Sequence, residues 1–150
     1  MVVDDITAAL KQALLQRDSE TATTLRGLKS VILNAEVAAG KRDTGLDNDE
    51  VVALLQKEAK KRQEAAAIYA DAGDEARAAK ELSEKDIIAQ FLPEQLDDTA
   101  VVQLVEDAIA ELGASTMQDM GKVIGAVKAK AGATADGGLI ARIVKEKLSV

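Results

Sequence analysis

The residues whose types and spacing could do chemistry are concentrated between Gly121 and Lys147. This stretch carries six basic and two acidic residues, a local charge of +4, in a chain whose net charge is −7. Lysine and arginine side chains are the usual contacts to nucleic-acid phosphates. The stretch therefore predicts a phosphate-contacting surface, and the residues expected to form it are Lys122, Lys128, Lys130, Arg142 and Lys145.

Glycines and helix-capping acids accompany these cations. Asp119 precedes Gly121 and Gly125, which lie four residues apart on one predicted helix. Because glycine inside a helix is less stable than alanine by about 0.5–1 kcal/mol, we expect another backbone to approach this face. Asp136 and Gly137 open the last predicted helix. Such a glycine-rich start can bind an anion through backbone N–H groups, but a capping role of Asp136 explains it equally.

No pair of residues in the sequence has the character of a nucleophile and its base. Neither cysteine nor histidine occurs. Their absence excludes disulfides, thiolate nucleophiles and zinc–sulfur sites, and it removes the commonest general base and metal ligand. Most carboxylates lie at predicted helix starts, where capping explains them. The sequence therefore predicts no catalytic residue, no cofactor and no metal site, and it leaves an enzymatic role uncertain.

A second charged run, from Lys57 to Glu64, allows two interpretations. Glu58 and Arg62 are spaced i, i+4, and so are Lys60 and Glu64. Such spacing is typical of a solvated helix face with internal ion pairs. A nucleic-acid contact strip is the alternative. We favour the solvated face, because charge runs of this kind are ordinary on exposed helices.

The elements that must position these residues are predicted to be helices. Apolar residues make up 47% of the chain, but Tyr69 and Phe91 are its only aromatic residues and alanine is abundant. Alanine is the best helix former, whereas a β-sandwich requires aromatic and β-branched residues at alternating spacing. The composition therefore predicts an all-α, multihelical fold, with an N-terminal helical lobe and a C-terminal three-helix bundle.

The N-terminal lobe is predicted to span residues 1–93 and to contain four helices. Apolar residues recur at helical spacing, and Gly40 ends the second helix. Asp47 and Glu50 have the spacing of a capping box at the start of a long third helix, which Gly73 ends. In the fourth helix, Ser83 marks a kink or a restart.

Pro93, the only proline, disfavours helix at the residue before it and marks the joint between the lobes. Residues 94–150 are predicted to form the three-helix bundle. Either Asp97 or Asp98 caps its first helix. Ser115, with Gln118, is predicted to cap the second helix, whose apolar stripe is Met117, Met120, Ile124 and Val127.

The N-terminus lacks a basic region followed by an apolar stretch, and no apolar run approaches the roughly 20 residues that span a bilayer. We therefore expect a cytoplasmic protein without a membrane partner.

Several motifs resemble the GatB/YqeY family. The C-terminal ones are Phe91-Leu92-Pro93-Glu94-Gln95-Leu96, Ala108-Ile109-Ala110-Glu111-Leu112-Gly113-Ala114-Ser115, Asp119-Met120-Gly121-Lys122-Val123-Ile124-Gly125 and Ala135-Asp136-Gly137. Leu25-Arg26-Gly27-Leu28-Lys29 and Lys60-Lys61-Arg62 are similar to motifs of the stand-alone YqeY-like proteins. The resemblance covers essentially the whole chain. The motifs are specific for this family when their order and spacing are taken together.

The resemblance implies a two-lobed helical protein. Its C-terminal lobe would be similar to the GatB tail domain of the glutamine-dependent aspartyl/glutamyl-tRNA amidotransferase, which contacts tRNA. The family label, carbon–nitrogen ligase activity with glutamine as amide donor, would then be inherited from an enzyme whose catalytic part this chain lacks. Two positions depart from the family: Thr134 stands where a basic residue is frequent, and Phe91 where tyrosine is common.

Three hypotheses follow for the function. The first is a non-catalytic accessory protein that binds tRNA or components related to the tRNA amidotransferase. The second is a protein–protein interaction module that binds no RNA, which the net negative charge and the scarcity of stacking aromatics favour. The third, an independent amidotransferase, has the least support because no nucleophile–base pair is present.

Overall fold

The computed structural model describes residues 1–149, and all regular elements in this range are helical, which confirms the all-α prediction. Two 3-10 turns, Met117–Asp119 and Gly132–Thr134, flank the sixth helix. The α-helices are α1 (Val2–Leu15), α2 (Ser19–Ala38), α3 (Asn48–Asp71), α4 (Glu75–Ala89), α5 (Asp98–Leu112), α6 (Met120–Ala131) and α7 (Gly137–Leu148). None of the helices in this range is both long and apolar enough to cross a membrane.

The chain divides into two compact units between Leu92 and Pro93. The first unit comprises α1 to α4, and the second comprises α5 to α7. That the two units are separate domains stays a prediction.

The first unit is built around the α3–α4 hairpin, with α1 and α2 paired beside it. Its core is aliphatic, and the residues at the predicted helical spacing fill it. The fully buried side chains are Ile6, Leu25, Leu28, Val51, Leu55 and Ile88. Burying a side chain of this size stabilises the fold by about 1.5–3 kcal/mol, so the apolar stripes hold the unit together.

The helix ends of the first unit follow local sequence signals. Asp47 and Glu50 form the predicted capping box: the Asp47 carboxylate accepts the Glu50 N–H at 2.9 Å, and the Glu50 carboxylate accepts the Asp47 N–H at 2.9 Å. Gly40 and Gly73 follow α2 and α3 with φ of +68° and +78°. The predicted restart at Ser83 is wrong, because α4 continues through this residue without a break.

The second unit is a three-helix bundle, as predicted. Its core contains alanine, leucine and, from all three helices, the fully buried β-branched residues Val101, Val105, Val123, Val127, Ile140 and Val144. The segment after Pro93 is tied to the loop before α7. There the Leu96 N–H donates to the Thr134 carbonyl at 2.7 Å, and the Gln95 side-chain amide donates to the Ala133 carbonyl at 2.9 Å.

The caps of the second unit settle one alternative and correct one prediction. Asp97, and not Asp98, caps α5: its carboxylate accepts the Ala100 N–H at 2.8 Å. Ser115 does not cap the second helix of the bundle. A 3-10 turn intervenes, and Asp119 accepts the N–H groups of Ser115 and Thr116 at 3.0 and 3.2 Å.

The predicted apolar stripe of α6 is also partly wrong. Met117 is 42% exposed, whereas Val123 is fully buried in the bundle core. The physical reason is that Met117 belongs to the 3-10 turn before α6, so the α-helical spacing that predicted the stripe does not extend to it.

Candidate nucleic-acid interface

Helix α6 presents two of the predicted phosphate-contacting cations to solvent. Val123 and Val127 face the bundle core, and Lys122 and Lys128 are exposed. Lys122 lies within electrostatic reach of Asp119 and helps to lower the pKa of that carboxyl. Both lysines are therefore accessible, although Lys122 has an acidic neighbour.

Lys130, the third predicted contact on α6, is engaged within the bundle. Its ammonium lies 3.1 Å from the carboxylate of Glu111 at the end of α5. Lys147 on α7 is held in the same way, 2.7 Å from the carboxylate of Glu106. A nucleic-acid phosphate would have to compete with these carboxylates, so Lys130 is the weakest of the five predicted contacts.

Helix α7 carries Arg142 and Lys145 on one exposed face. They are three residues apart, a spacing that places side chains next to each other on a helix, while Ile140 and Val144 face the core. Within the described part of the chain, neither cation forms an ion pair. The pair is thus a solvent-facing concentration of positive charge.

The start of α7 brings Lys128 to the Asp136–Gly137 motif. The Asp136 carboxylate caps the helix by accepting the Leu139 N–H at 3.2 Å, so the capping interpretation of Asp136 is confirmed. The Lys128 side chain lies over Gly137: a Cβ placed there would be 3.2 Å from Lys128 Cε and 3.4 Å from Nζ. Gly137 therefore leaves room for the Lys128 side chain, and an anion at this helix start stays a prediction.

Asp119 holds the turn that precedes α6. Its carboxylate accepts the backbone N–H of Ser115 and then that of Thr116, and these bonds hold the pKa of Asp119 below its ordinary value. The negative charge is thereby kept at the start of α6, next to Lys122. The motif that the sequence singled out thus has a structural role in this turn.

The expectation that a neighbouring backbone approaches the glycine face of α6 is wrong for this chain. Apart from the neighbouring residues and the backbone of α6 itself, no atom of the described chain lies within 4 Å of the position that a Cβ would occupy at Gly121 or Gly125. Both glycines are exposed. Packing among the described residues therefore does not account for their presence in a helix, where each is less favourable than alanine.

Acidic residues before α6 complete the charge pattern, although they belong to no motif that predicted the site. From residue 94 to residue 119 the chain has seven acidic residues and no basic one. Glu106 and Glu111 belong to this set and pair with Lys147 and Lys130. The charge asymmetry was visible in the sequence, but the pairing depends on how α5 packs against its neighbours.

The charged run on α3 forms internal ion pairs. The carboxylate of Glu58, whose side chain is 7% exposed, lies 2.7 Å from the Lys61 ammonium and 2.8 Å from the Arg62 guanidinium. Arg62 also lies 3.6 Å from the Glu84 carboxylate on α4. These contacts agree with the ion-paired helix face rather than with a nucleic-acid strip.

Across residues 1–149, no group of three or more acidic side chains is placed to hold a metal ion. No curated protein matches this chain. A family model described as Yqey-like protein matches residues 3–148. Since this match spans almost the whole sequence and the fold is helical throughout the described range, the chain belongs to the YqeY-like protein family.

Proposed function

We propose that this YqeY-like protein is a non-catalytic accessory protein that binds tRNA through the exposed cations of α6 and α7. The observation that carries the proposal is the group of four exposed cations, Lys122, Lys128, Arg142 and Lys145, none of which forms an ion pair within residues 1–149. Removing water from exposed cations costs little free energy when they contact phosphates. The release of counterions then drives binding. The resemblance of this unit to the tRNA-contacting tail of the amidotransferase points in the same direction.

The expected binding is to shape and charge rather than to base sequence. Stacking on unpaired bases requires aromatic side chains, and the whole chain has only Tyr69 and Phe91. The affinity should therefore fall steeply with salt and depend little on the identity of the tRNA.

A filter-binding titration of bulk tRNA at low and physiological salt tests the proposal. The double variant Lys122→Glu with Lys128→Glu should weaken binding strongly. The single variants Lys128→Gln and Arg142→Gln should each reduce the steepness of the slope of log K against log salt concentration by about 0.7–0.9.

Lys130→Gln is the matched control, because it removes the same charge from the same helix. Glu111 already neutralises Lys130, so this variant should change tRNA affinity less than Lys128→Gln. Unchanged affinity of the double variant would show that this surface is not the binding site.

The exposed glycines provide a second arm of the same test. Gly121→Ala and Gly125→Ala should each stabilise α6 by about 0.5–1 kcal/mol, because an added Cβ contacts nothing in the described chain beyond α6's own backbone and the neighbouring residues. If an RNA backbone approaches this face, the same variants should reduce tRNA affinity. Stabilised variants with wild-type affinity would remove this face from the proposed interface.

A protein-interaction role is the second candidate, and exposed apolar residues on the first unit favour it. Leu33 and Val37 on α2 are 48% and 55% exposed, and Leu33 borders an open cleft of about 290 Å³ that Val3 and Ile32 also line. A pull-down after nuclease treatment that recovers a stoichiometric protein and no RNA would support this role. Recovery of RNA alone would contradict it.

A further inference from the structure

A cleft on the first unit carries two arginines that the proposed RNA contact does not use. It has a volume of about 250 Å³ and lies between the end of α1 and the first turns of α2. Arg17 and Arg26 line it, together with Asp18, Ser19, Thr23 and the apolar side chain of Leu14. Ser19, Thr23 and Arg26 recur at i, i+4 and i+7, so they share one face of α2.

Neither arginine is neutralised by the chain. Across residues 1–149, Arg17 and Arg26 form no ion pair, whereas Arg62 lies 2.8 Å from the Glu58 carboxylate. The sequence has 26 acidic residues against 19 basic ones, so a shortage of carboxylates does not explain this. The Asp18 carboxylate also lines the cleft, but its two oxygens accept the backbone N–H and the hydroxyl of Thr21 at 3.1 and 2.6 Å.

Arg17 also occupies a backbone position that suits glycine. Its φ is +58°, and it is the only non-glycine residue among 1–149 with a positive φ. At this position the Asp18 N–H donates to the Ala13 carbonyl at 2.9 Å and the Arg17 N–H to the Leu14 carbonyl at 3.3 Å, which is a Schellman C-cap. The left-handed conformation brings the Cβ of an L-residue close to its own backbone and is unfavourable.

The same C-cap occurs at the ends of α2, α3 and α5, where the residue is Gly40, Gly73 and Gly113. Glycine, the residue that the left-handed conformation favours, therefore occupies three of these C-caps, and arginine occupies the fourth. The fourth position is the one that borders the cleft. Backbone geometry favours glycine at this position too, so it does not explain the arginine.

The chemistry of the cleft indicates the class of ligand. Guanidinium groups donate two parallel N–H bonds to carboxylates and phosphates, and serine and threonine hydroxyls donate one each. A phosphate monoester has three terminal oxygens that can accept from two guanidiniums and two hydroxyls together, whereas a carboxylate has only two. The volume of about 250 Å³ suits a small ligand.

We propose that Arg17 and Arg26, with the hydroxyls of Ser19 and Thr23, form a binding site for the phosphoryl group of a small phosphate ester. This site lies in the first unit and is independent of the cations of α6 and α7.

Titration of the full chain with inorganic phosphate at constant ionic strength, followed by backbone amide chemical shifts, tests the site. The amides of Ser19 and Thr23 should shift and saturate. Arg26→Gln should weaken phosphate binding by about tenfold or more, the expected loss for a charge-assisted contact. Arg42→Gln is the matched control: Arg42 is exposed, lies in the same unit and does not line the cleft, so binding should persist.

Arg17→Gly separates a ligand-binding role from a structural one. Because glycine relieves the left-handed strain, the thermal midpoint of the unliganded variant should rise by about 2–4 °C, while phosphate binding is lost. A lower midpoint would assign Arg17 a structural role and overturn the proposal.

Three further outcomes would also overturn the proposal. They are the absence of saturable shifts at the cleft, an equal response in Arg26→Gln and wild type, and saturation by acetate but not by phosphate. Binding of tRNA to the Arg26→Gln variant distinguishes a small phosphate ester from an RNA phosphate. We expect the tRNA affinity of this variant to be unchanged. A loss of tRNA affinity would show that the site binds an RNA phosphate and not a small ester.

Discussion

At the scale of single residues, Glu58 is the only charged residue that is buried within residues 1–149. Burial by itself raises the pKa of Glu58, but the hydrogen bonds from Lys61 and Arg62 outweigh it, and the pKa lies below its ordinary value. The Nε atom of Arg62 is buried without a hydrogen bond and lies 3.6 Å from the Glu84 carboxylate. Removing the charge of Glu58 would therefore leave a partly buried guanidinium poorly compensated.

Glu58→Gln keeps the size of the side chain and removes its charge. We expect it to lower the free energy of unfolding by about 1.5–3 kcal/mol, the range for hydrogen bonds to charged groups. Urea denaturation followed by helical circular dichroism measures the change. Glu64→Gln, an exposed position on the same helix, should stay within about 0.5 kcal/mol of wild type. Equal losses in the two variants would contradict the role of the buried pair.

Residue chemistry alone left open what Asp136 and the α3 cations do. For Asp136, capping and anion binding use the same N–H groups, and the structure assigns the Leu139 N–H to the carboxylate. For Lys61 and Arg62, the i, i+3 and i, i+4 spacing to Glu58 already favoured internal pairs, and the structure has them. What spacing could not indicate was the burial of Glu58, because burial depends on α4 lying against α3.

At the scale of helices, the start of α5 shows what a single cap contributes. The sequence offers Asp97 and Asp98 as alternatives, and the structure has the Asp97 carboxylate 2.8 Å from the Ala100 N–H. Asp97→Ala should lower the free energy of unfolding by about 1 kcal/mol, the usual effect of losing an N-cap. Thermal denaturation of the full chain measures it.

Asp98→Ala is the control for this prediction. Asp98 is the first residue of α5 and forms no cap there, so its loss should remove only a helix-dipole interaction and have a smaller effect, about 0.3–1 kcal/mol. An Asp98→Ala variant less stable than Asp97→Ala would contradict the assigned cap.

Helix boundaries were predictable where the signal is a side chain next to the boundary, as at Asp47 and Gly113. The start of α6 was not, because Ser115, Thr116 and Asp119 all have cap-forming side chains. Which of them bonds to the backbone depends on the 3-10 turn, and Met117 lies in that turn rather than in α6.

At the scale of the whole molecule, four carboxyl groups link stability to pH. A hydrogen bond from the Thr21 hydroxyl lowers the pKa of Asp18, one from the Lys41 ammonium lowers that of Glu50, and the pKa values of Glu58 and Asp119 are lowered as described above. A carboxyl with a lower pKa in the folded state binds fewer protons there than in the unfolded state. Its stabilisation is complete above the unfolded pKa and is lost as pH falls through the folded one.

The thermal midpoint should therefore be nearly constant between about pH 6 and 8 and should fall below about pH 4, where ordinary carboxyl groups take up protons. No histidine or cysteine is present to titrate in the neutral range. Lys41 affects stability at high pH. Its hydrogen bond to Glu50 raises the pKa of Lys41, and the stability that this contributes is lost as pH rises above about 10.4.

Differential scanning calorimetry across this range measures the profile. A fall of the midpoint between pH 7 and 6 would contradict the prediction, because no group with a shifted pKa titrates there.

The sequence by itself determined the all-α class, most helix ends and most of the core. These depend on hydrogen bonds between residues four apart and on apolar spacing, which are local properties. Only the tertiary structure decided which charges are available. Lys130 and Glu111 are 19 residues apart, Lys147 and Glu106 are 41 apart, and Lys128 lies over Gly137 across a loop. Arg17 and Arg26 likewise meet at one cleft because α1 packs against α2, since contacts between helices depend on packing that no local pattern specifies.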